Sequence, residues 1–226
     1  MTKENPSIRL RVGLVVYNDK SITPETVNSI HCLCEDNYFE TDIVKVTGVS
    51  ACAGRNLAVC RGNPLDFKTD FEEHLKKSLL SFDYFLSIDG DSVFDSSTIR
   101  ELTSLFEVYK NTKVIGICAP YPRRNHSHEI VAGYLDDKFH NNFLKLHEIS
   151  HKPVPMIDVD WFGMGCSLIK SEYFYTAKYP WFRVPIIDTG KGYEDYTTED
   201  IGFCIEAKKL GYILKITNHC FSGHVC

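Results

Sequence analysis

The 226-residue sequence has no run of about 18 apolar residues, no Cys-X-X-Cys pair and no glutamine. Without a long apolar run, no integral membrane segment is expected, and the polar start, MTKENPSIRL, predicts no secretory signal peptide. The nine cysteines do not match an ordinary zinc knuckle, and their odd number leaves at least one unpaired. We therefore expect reduced, mostly buried thiols in a cytoplasmic protein.

The charge balance excludes further classes of function. Lysine and arginine total 25 against 30 acidic residues, which gives a net charge of −5. Nucleic acid and anionic membranes attract a positive protein surface, so no nucleic-acid partner is expected, although a small basic pocket could still bind one phosphate ligand. With 43% hydrophobic and 24% charged residues, the composition is that of a globular protein rather than a disordered or fibrous chain.

Apolar runs of strand length alternate with segments of helical period, a pattern that predicts a βα-type fold. The predicted strands are 10–17, 42–49, 84–88, 114–118, 157–161 and 212–216. The predicted helices open at Thr23 and span 51–61, 96–109 and 198–210, while 120–155 is expected to form a hairpin or loop excursion. No segment has the composition of a linker, so 1–226 is expected to be one domain. The two halves of this domain, about 10–120 and about 121–226, would share one sheet.

Asp89 and Asp91 flank Gly90 directly after the predicted strand 84–88. Ligand sites in open α/β sheets lie beyond the carboxyl ends of strands, and Gly90 allows a bend that turns both carboxylates toward one point. Such oxygen ligands suit a magnesium-type ion that is shared with substrate phosphates. Aspartate and glycine are also ordinary turn residues, so the motif alone leaves a metal site and an acidic turn open.

Three other short motifs each have a structural and a functional interpretation. Thr198-Glu199-Asp200 suits a helix start, where threonine caps the helix and the acids complement its dipole. Arg55, in the first turns of a helix, could bind phosphate or form a surface ion pair. His224, taken alone, is an ordinary histidine near the end of the sequence.

Taken in order, these motifs resemble the GT-A glycosyltransferases, most closely the inverting, family-two-like members. The likeness runs from about residue 10 to 224 and comprises Tyr17-Asn18, Gly54-Arg55-Asn56, Ile88-Asp89-Gly90-Asp91, Gly163-Met164-Gly165, Thr198-Glu199-Asp200 and His224. It implies a single Rossmann-like α/β domain whose mixed, mainly parallel sheet is flanked by helices. The half from about 10 to 120 would bind the nucleotide sugar, and the half from about 121 to 226 would bind the acceptor and carry the catalytic residue. It also implies transfer of a sugar from a UDP- or GDP-sugar to a hydroxyl of a glycan or glycoprotein acceptor.

The resemblance implies a role for each matching position. Asp89 and Asp91 would hold Mn²⁺ or Mg²⁺ against the donor diphosphate, with His224 as a further ligand. Asp200 would act as the general base on the acceptor hydroxyl, opposite the leaving group, so that the anomeric centre inverts. The positions beside the nucleotide would be Tyr17, Asn18, Arg55 and Asp89. The floor of the donor-sugar and acceptor pocket would be formed by Trp161, Gly163 and Gly165. Arg123 and Arg124 follow Tyr121-Pro122 where small members of the group carry a similar segment at a strand exit.

The sequence departs from the family pattern in two places. Because it contains no glutamine, the QxxRW motif of processive synthases is absent, and transfer of a single sugar is expected rather than polymerisation. Many relatives carry an acid after the second strand that contacts the base or ribose, whereas Thr47-Gly48-Val49-Ser50 contains none. The identity of the nucleotide is therefore left open.

Two alternatives come from other classes. Residues 147–151 read HEISH, a literal HExxH zinc-peptidase motif in which Glu148 would be the base. Lys152-Pro153-Val154-Pro155 follows at once and disfavours the embedded helix that this motif needs. The other alternative is a non-catalytic nucleotide-sugar-binding subunit, which would not require Asp200 and His224 together.

Overall fold

The computed structural model describes residues 8–16, 21–62, 71–124, 126–136, 141–188 and 194–225. The strands are β1 (Ile8–Val16), β2 (Phe39–Thr47), β3 (Tyr84–Asp89), β4 (Ser92–Val93), β5 (Val114–Cys118), β6 (Pro122–Arg123), β7 (His126–Leu135), β8 (Asn141–Lys145), β9 (Met156–Val159), β10 (Trp161–Phe162), β11 (Cys166–Lys170), β12 (Ile186–Asp188), β13 (Glu194–Tyr196), β14 (Ile213–Thr217) and β15 (Gly223–His224). The helices are α1 (Pro24–Cys34), α2 (Ala51–Cys60), α3 (Phe71–Leu79), α4 (Ser96–Val108), α5 (Leu146–Ser150), α6 (Glu172–Thr176) and α7 (Glu199–Lys209). Within these residues, none of the helices combines the length and apolar character needed to span a membrane.

Seven strands form the central sheet, in the order β2-β1-β3-β11-β5-β14-β9. β1 is parallel to both β2 and β3, and β5 is parallel to β14. β11 runs antiparallel to β3 and β5, and β9 runs antiparallel to β14. The prediction of an α/β fold with a mixed, mainly parallel sheet flanked by helices is therefore confirmed.

Local sequence explains where the main helices begin and which side they bury. Thr23, Ser50 and Asp95 each accept a hydrogen bond from a backbone N–H in the first turn of α1, α2 and α4. Two apolar clusters form, and successive residues of β3 belong to different ones, Phe85 to the first and Leu86 to the second. Because successive side chains of a strand point to opposite faces, the sheet is covered by apolar packing on both sides.

The structure differs from the sequence-based element prediction mainly at α3 and β11, which the local pattern does not predict. β11 is a five-residue strand that fills the gap between β3 and β5 and pairs with both. Its strand state depends on those distant partners, which local periodicity does not encode. β2 begins at Phe39 rather than at 42 because it pairs with β1 from Ile8 onward. The segment 120–155 contains the expected hairpin, formed by β7 and β8.

The thiols are less uniformly buried than expected. Among the described cysteines, Cys60, Cys118, Cys166 and Cys204 are buried, and Cys52 and Cys220 are partly buried. Cys32 and Cys34 are exposed on α1 because they lie outside the apolar stripe of that helix, formed by Ile30 and Leu33.

The topology brings distant parts of the sequence to one edge of the sheet. Because β1 and β3 are parallel neighbours, their carboxyl ends meet there, with Val15 opposite Asp89. β15 pairs antiparallel with β4, which places His224 opposite Ser92. β15 therefore lies beside the turn that follows β3.

Candidate active site

A cavity of about 300 Å³ opens at the carboxyl ends of β1 and β3. Its charged lining consists of Arg55, Asp89, Asp91, Arg124, Glu199 and Asp200. These side chains come from α2, from β3 and the turn after it, from the segment after β6 and from the first turn of α7. The position agrees with the general rule that open α/β sheets bind ligands beyond the carboxyl ends of their strands.

Arg55 joins two walls of this cavity. Its Nη2 donates to Asp89 Oδ1 at 2.9 Å and its Nε donates to Glu199 Oε1 at 3.2 Å, while Nη1 bonds the Ser87 hydroxyl at 2.9 Å. Burial alone would lower the pKa of Arg55, but the adjacent carboxylates of Asp89 and Glu199 raise it above its ordinary value. The guanidinium is therefore a charged link between α2, β3 and α7, and it lines the cavity with its three nitrogens already bonded to protein groups.

Asp91 and His224 form a second hydrogen-bonded pair at the site. His224 Nδ1 lies 3.1 Å from Asp91 Oδ1, and this contact is the main reason that the pKa of Asp91 lies below its ordinary value. Because a carboxylate only accepts hydrogen bonds, Nδ1 must donate, and in the neutral imidazole the lone pair then lies on Nε2. Nε2 is buried and has no hydrogen-bond partner among the described residues.

These donors partly fit the divalent cation that the resemblance implies. A carboxylate oxygen and an imidazole nitrogen without a hydrogen-bond partner are ligand types that suit Mn²⁺, although His224 presents Nδ1 rather than Nε2 to Asp91. Asp89, the other predicted ligand, is instead paired with Arg55. Within the described ranges, no group of three or more His, Cys, Asp or Glu side chains is arranged to hold a metal. The metal site therefore stays a prediction, with Asp91 and His224 as its better candidates.

Asp200 lies in the first turn of α7 and lines the cavity. Its Oδ1 accepts hydrogen bonds from the Thr198 hydroxyl and, at 2.9 Å, from the Ile201 backbone N–H. Burial, and secondly the neighbouring Glu199 carboxylate, raise the pKa of Asp200 to about 6. A carboxylate with such a pKa is ionised at neutral pH and is a stronger base than an ordinary aspartate.

Tyr121 is a cavity residue that the sequence argument does not single out. Its hydroxyl accepts a hydrogen bond from the Gly165 N–H at 3.1 Å, and its ring centroid lies 4.5 Å from that of His224. A Cβ on Gly163 would lie only 2.2 Å from the same hydroxyl oxygen, so the turn needs glycine there. Tyr121 thus connects the glycine turn to His224, and its only sequence signal is an aromatic residue soon after strand β5.

Several positions that the resemblance assigns to substrate do not line the cavity or lie outside the described residues. Trp161 is buried in the core, where its ring packs edge-on against Phe143 with centroids 5.0 Å apart. Gly163 and Gly165 contact Tyr121, and the residue between them, Met164, is the one that lines the cavity. Tyr17 and Asn18 lie outside the described residues.

The HExxH segment has a local structural explanation. α5 ends at Ser150, so His151 follows the helix instead of completing a second turn of it. Glu148 Oε2 accepts a hydrogen bond from the Lys145 backbone N–H at 2.7 Å, as in a helix cap. The described part of the chain brings no third metal ligand to His147 and His151.

Comparison with known proteins gives a fold and no family. No family model matches the chain, and no curated protein sequence matches it either. Among solved structures, A197 from STIV matches over 97% of this chain and 86% of its own, with 14% identity and a TM-score of 0.57. GalNAc-T7, crystallised with UDP, GalNAc and Mn²⁺, matches over 99% of this chain with 10% identity and a TM-score of 0.57.

The fold is GT-A-like. The chain spans 45% of the length of GalNAc-T7, so the likeness concerns the GT-A domain of that protein. At 10–14% identity, the two comparisons establish the architecture, whereas activity has to be argued from the side chains of the cavity.

Proposed function

We propose that this GT-A-like chain is a metal-dependent, inverting glycosyltransferase. It would transfer one sugar from a UDP- or GDP-sugar to a hydroxyl group of a glycan or glycoprotein acceptor. The observation that carries the proposal is one cavity at the carboxyl edge of the sheet, which the carboxylates of Asp91 and Asp200 both line. His224 contacts Asp91 beside this cavity. A fold shared with GalNAc-T7 adds weight, since that protein was crystallised with UDP, GalNAc and Mn²⁺.

The donor side of the site would be formed by Asp91 and His224. The carboxylate of Asp91 and the imidazole of His224 would supply the ligand atoms for Mn²⁺. When bound, such an ion supplies positive charge to the oxygens of the departing nucleoside diphosphate. The positive charge of Arg55 offsets part of the negative charge of Asp89 and Glu199. It therefore lowers the repulsion that the four carboxylates of the cavity would exert on a diphosphate.

The acceptor side would depend on Asp200. Within the described residues, Oδ1 accepts two hydrogen bonds and Oδ2 has no hydrogen-bond partner. The bonds from Thr198 and Ile201 therefore orient the carboxylate and leave one oxygen to accept the proton of the acceptor hydroxyl. The pKa of about 6 makes that oxygen basic enough for the transfer and still ionised near pH 7.

Binding and turnover test the proposal separately. Wild-type protein is screened by thermal shift with UDP- and GDP-sugars, with and without Mn²⁺, and we expect stabilisation only when both are present. Asp91→Asn should lose this stabilisation. Asp95→Asn is the matched control, because Asp95 caps α4 and does not line the site cavity. No stabilisation of the wild type by any nucleotide sugar would contradict the proposal.

Turnover is followed as release of UDP or GDP, with and without acceptor glycans. We expect Asp200→Asn to bind the donor like the wild type and to transfer at a rate lower by about a hundredfold or more. Wild-type protein that binds a nucleotide sugar and never releases the diphosphate would instead be a non-catalytic nucleotide-sugar binder.

A further inference from the structure

Arg124 has a place in the site that the proposed mechanism does not use. It follows β6, lines the cavity, and donates from Nη2 to Asp91 Oδ2. The same nitrogen lies 3.5 Å from His224 Nδ1. Since His224 bonds Asp91 Oδ1, both oxygens of this carboxylate are occupied by protein groups.

The neighbouring arginine is held away from the cavity. Arg123 Nη1 donates to Glu129 Oε2 at 2.7 Å, and its guanidinium carbon lies 4.2 Å from the centre of the Phe143 ring. The side chain of Arg124 is 53% exposed and stacks on no aromatic ring of the described residues. An exposed arginine loses little when it changes rotamer, because a solvent-exposed ion pair contributes little to stability.

We propose that Arg124 is an internal counter-ion that exchanges between Asp91 and the diphosphate of the donor. Without ligands, its guanidinium neutralises Asp91 and occupies the oxygen that a cation needs. Because Mn²⁺ and a guanidinium repel each other, a cation that binds Asp91 must displace Arg124. The displaced guanidinium can then donate two parallel hydrogen bonds to phosphate oxygens at the mouth of the same cavity.

This inference rests on the proposed function for its second half, since a diphosphate must bind in the cavity. Its first half, competition between Arg124 and the cation, concerns only Asp91 and is measurable without any nucleotide. The two halves have opposite consequences for the loss of Arg124. Removing the guanidinium should strengthen binding of the cation alone and weaken binding of a nucleoside diphosphate.

The test compares wild type, Arg124→Gln and Arg123→Gln. Binding of Mn²⁺ alone is measured from the electron paramagnetic resonance signal of free Mn²⁺, and binding of UDP and of GDP is measured by calorimetry at saturating Mn²⁺. For Arg124→Gln we expect Mn²⁺ to bind roughly two- to fivefold more tightly. We expect the diphosphate that binds the wild type to bind Arg124→Gln at least about tenfold more weakly. Arg123→Gln removes the same charge one residue away and should leave both affinities within about twofold of wild type.

Each other result is decisive. Unchanged or weaker Mn²⁺ binding by Arg124→Gln overturns the exchange, whether or not nucleotides bind. Tighter Mn²⁺ binding with unchanged UDP and GDP affinity overturns the transfer of Arg124 to the diphosphate. If Arg123→Gln and Arg124→Gln change the affinities equally, a general loss of positive charge explains both results. The specific role of Arg124 is then overturned. If the wild type binds neither Mn²⁺ nor any nucleoside diphosphate, the proposed function itself fails.

Discussion

Asp200→Asn is expected to stabilise the folded protein at neutral pH while it removes the proposed base. Asparagine keeps the oxygen that accepts hydrogen bonds from Thr198 and Ile201 and eliminates the partly buried negative charge. A pKa of about 6 against an ordinary value of 3.8 corresponds to a cost of about 3 kcal/mol for ionising Asp200 in the folded state. Water in the cavity screens part of this cost, so we expect a gain of about 1–3 kcal/mol at pH 7.5.

The pH dependence gives the sign of the effect. Because the pKa of Asp200 is higher in the folded state than in the unfolded state, its protonated form favours folding. This contribution is present in full below pH 3.8 and is lost as the pH rises through about 6. The advantage of Asp200→Asn over wild type should therefore be small near pH 4 and reach its maximum above pH 7.

Urea unfolding of wild type and variants between pH 4 and 8 measures this difference. Asp95→Asn is the control, because the hydrogen bonds of Ser97 lower the pKa of Asp95 and the same substitution should give a small effect of opposite sign. An Asp200→Asn protein that is no more stable than wild type at pH 7.5 would refute the argument. So would a stability difference that does not change with pH.

Three further perturbations test the packing and charge of the site. Gly163→Ala should destabilise the fold by about 1–3 kcal/mol, because its Cβ would lie 2.2 Å from the Tyr121 hydroxyl oxygen. Adding Tyr121→Phe should relieve part of this loss, so the unfolding free energies from urea titration should not be additive in the double variant. Arg55→Ala should destabilise by about 3–5 kcal/mol, since two carboxylates lose their buried partner, and a change below 1 kcal/mol would contradict the ion-pair assignment. A chain truncated after Phe221 lacks β15 and His224 and should bind Mn²⁺ more weakly in a titration, while circular dichroism should show that the central sheet still folds. Equal Mn²⁺ affinity would exclude His224 as a ligand.

Much of the fold and part of the site follow from sequence because they depend on near neighbours. Helix starts at Thr23, Ser50 and Asp95 are determined by side chains that bond backbone groups two or three residues away. Apolar runs predict the strands of a buried sheet in the same local way. The turn after β3 could likewise be predicted as a ligand site, since residues at the carboxyl end of a strand face the site edge in this class of fold.

The remaining features depend on residues that are far apart in the chain. β11 becomes a strand because β3 and β5 accept it between them, and Tyr121 becomes a site residue because it meets Gly165 and His224. Arg55 could be assigned to an ion pair or to a phosphate from sequence alone, and its ion pairs with Asp89 and Glu199 are seen only in the tertiary structure. The amino-acid sequence thus determined which chemical groups are available at the carboxyl edge of the sheet. Tertiary structure decided their charge state and their partners, because burial and electrostatic interactions depend on distances through space rather than along the chain.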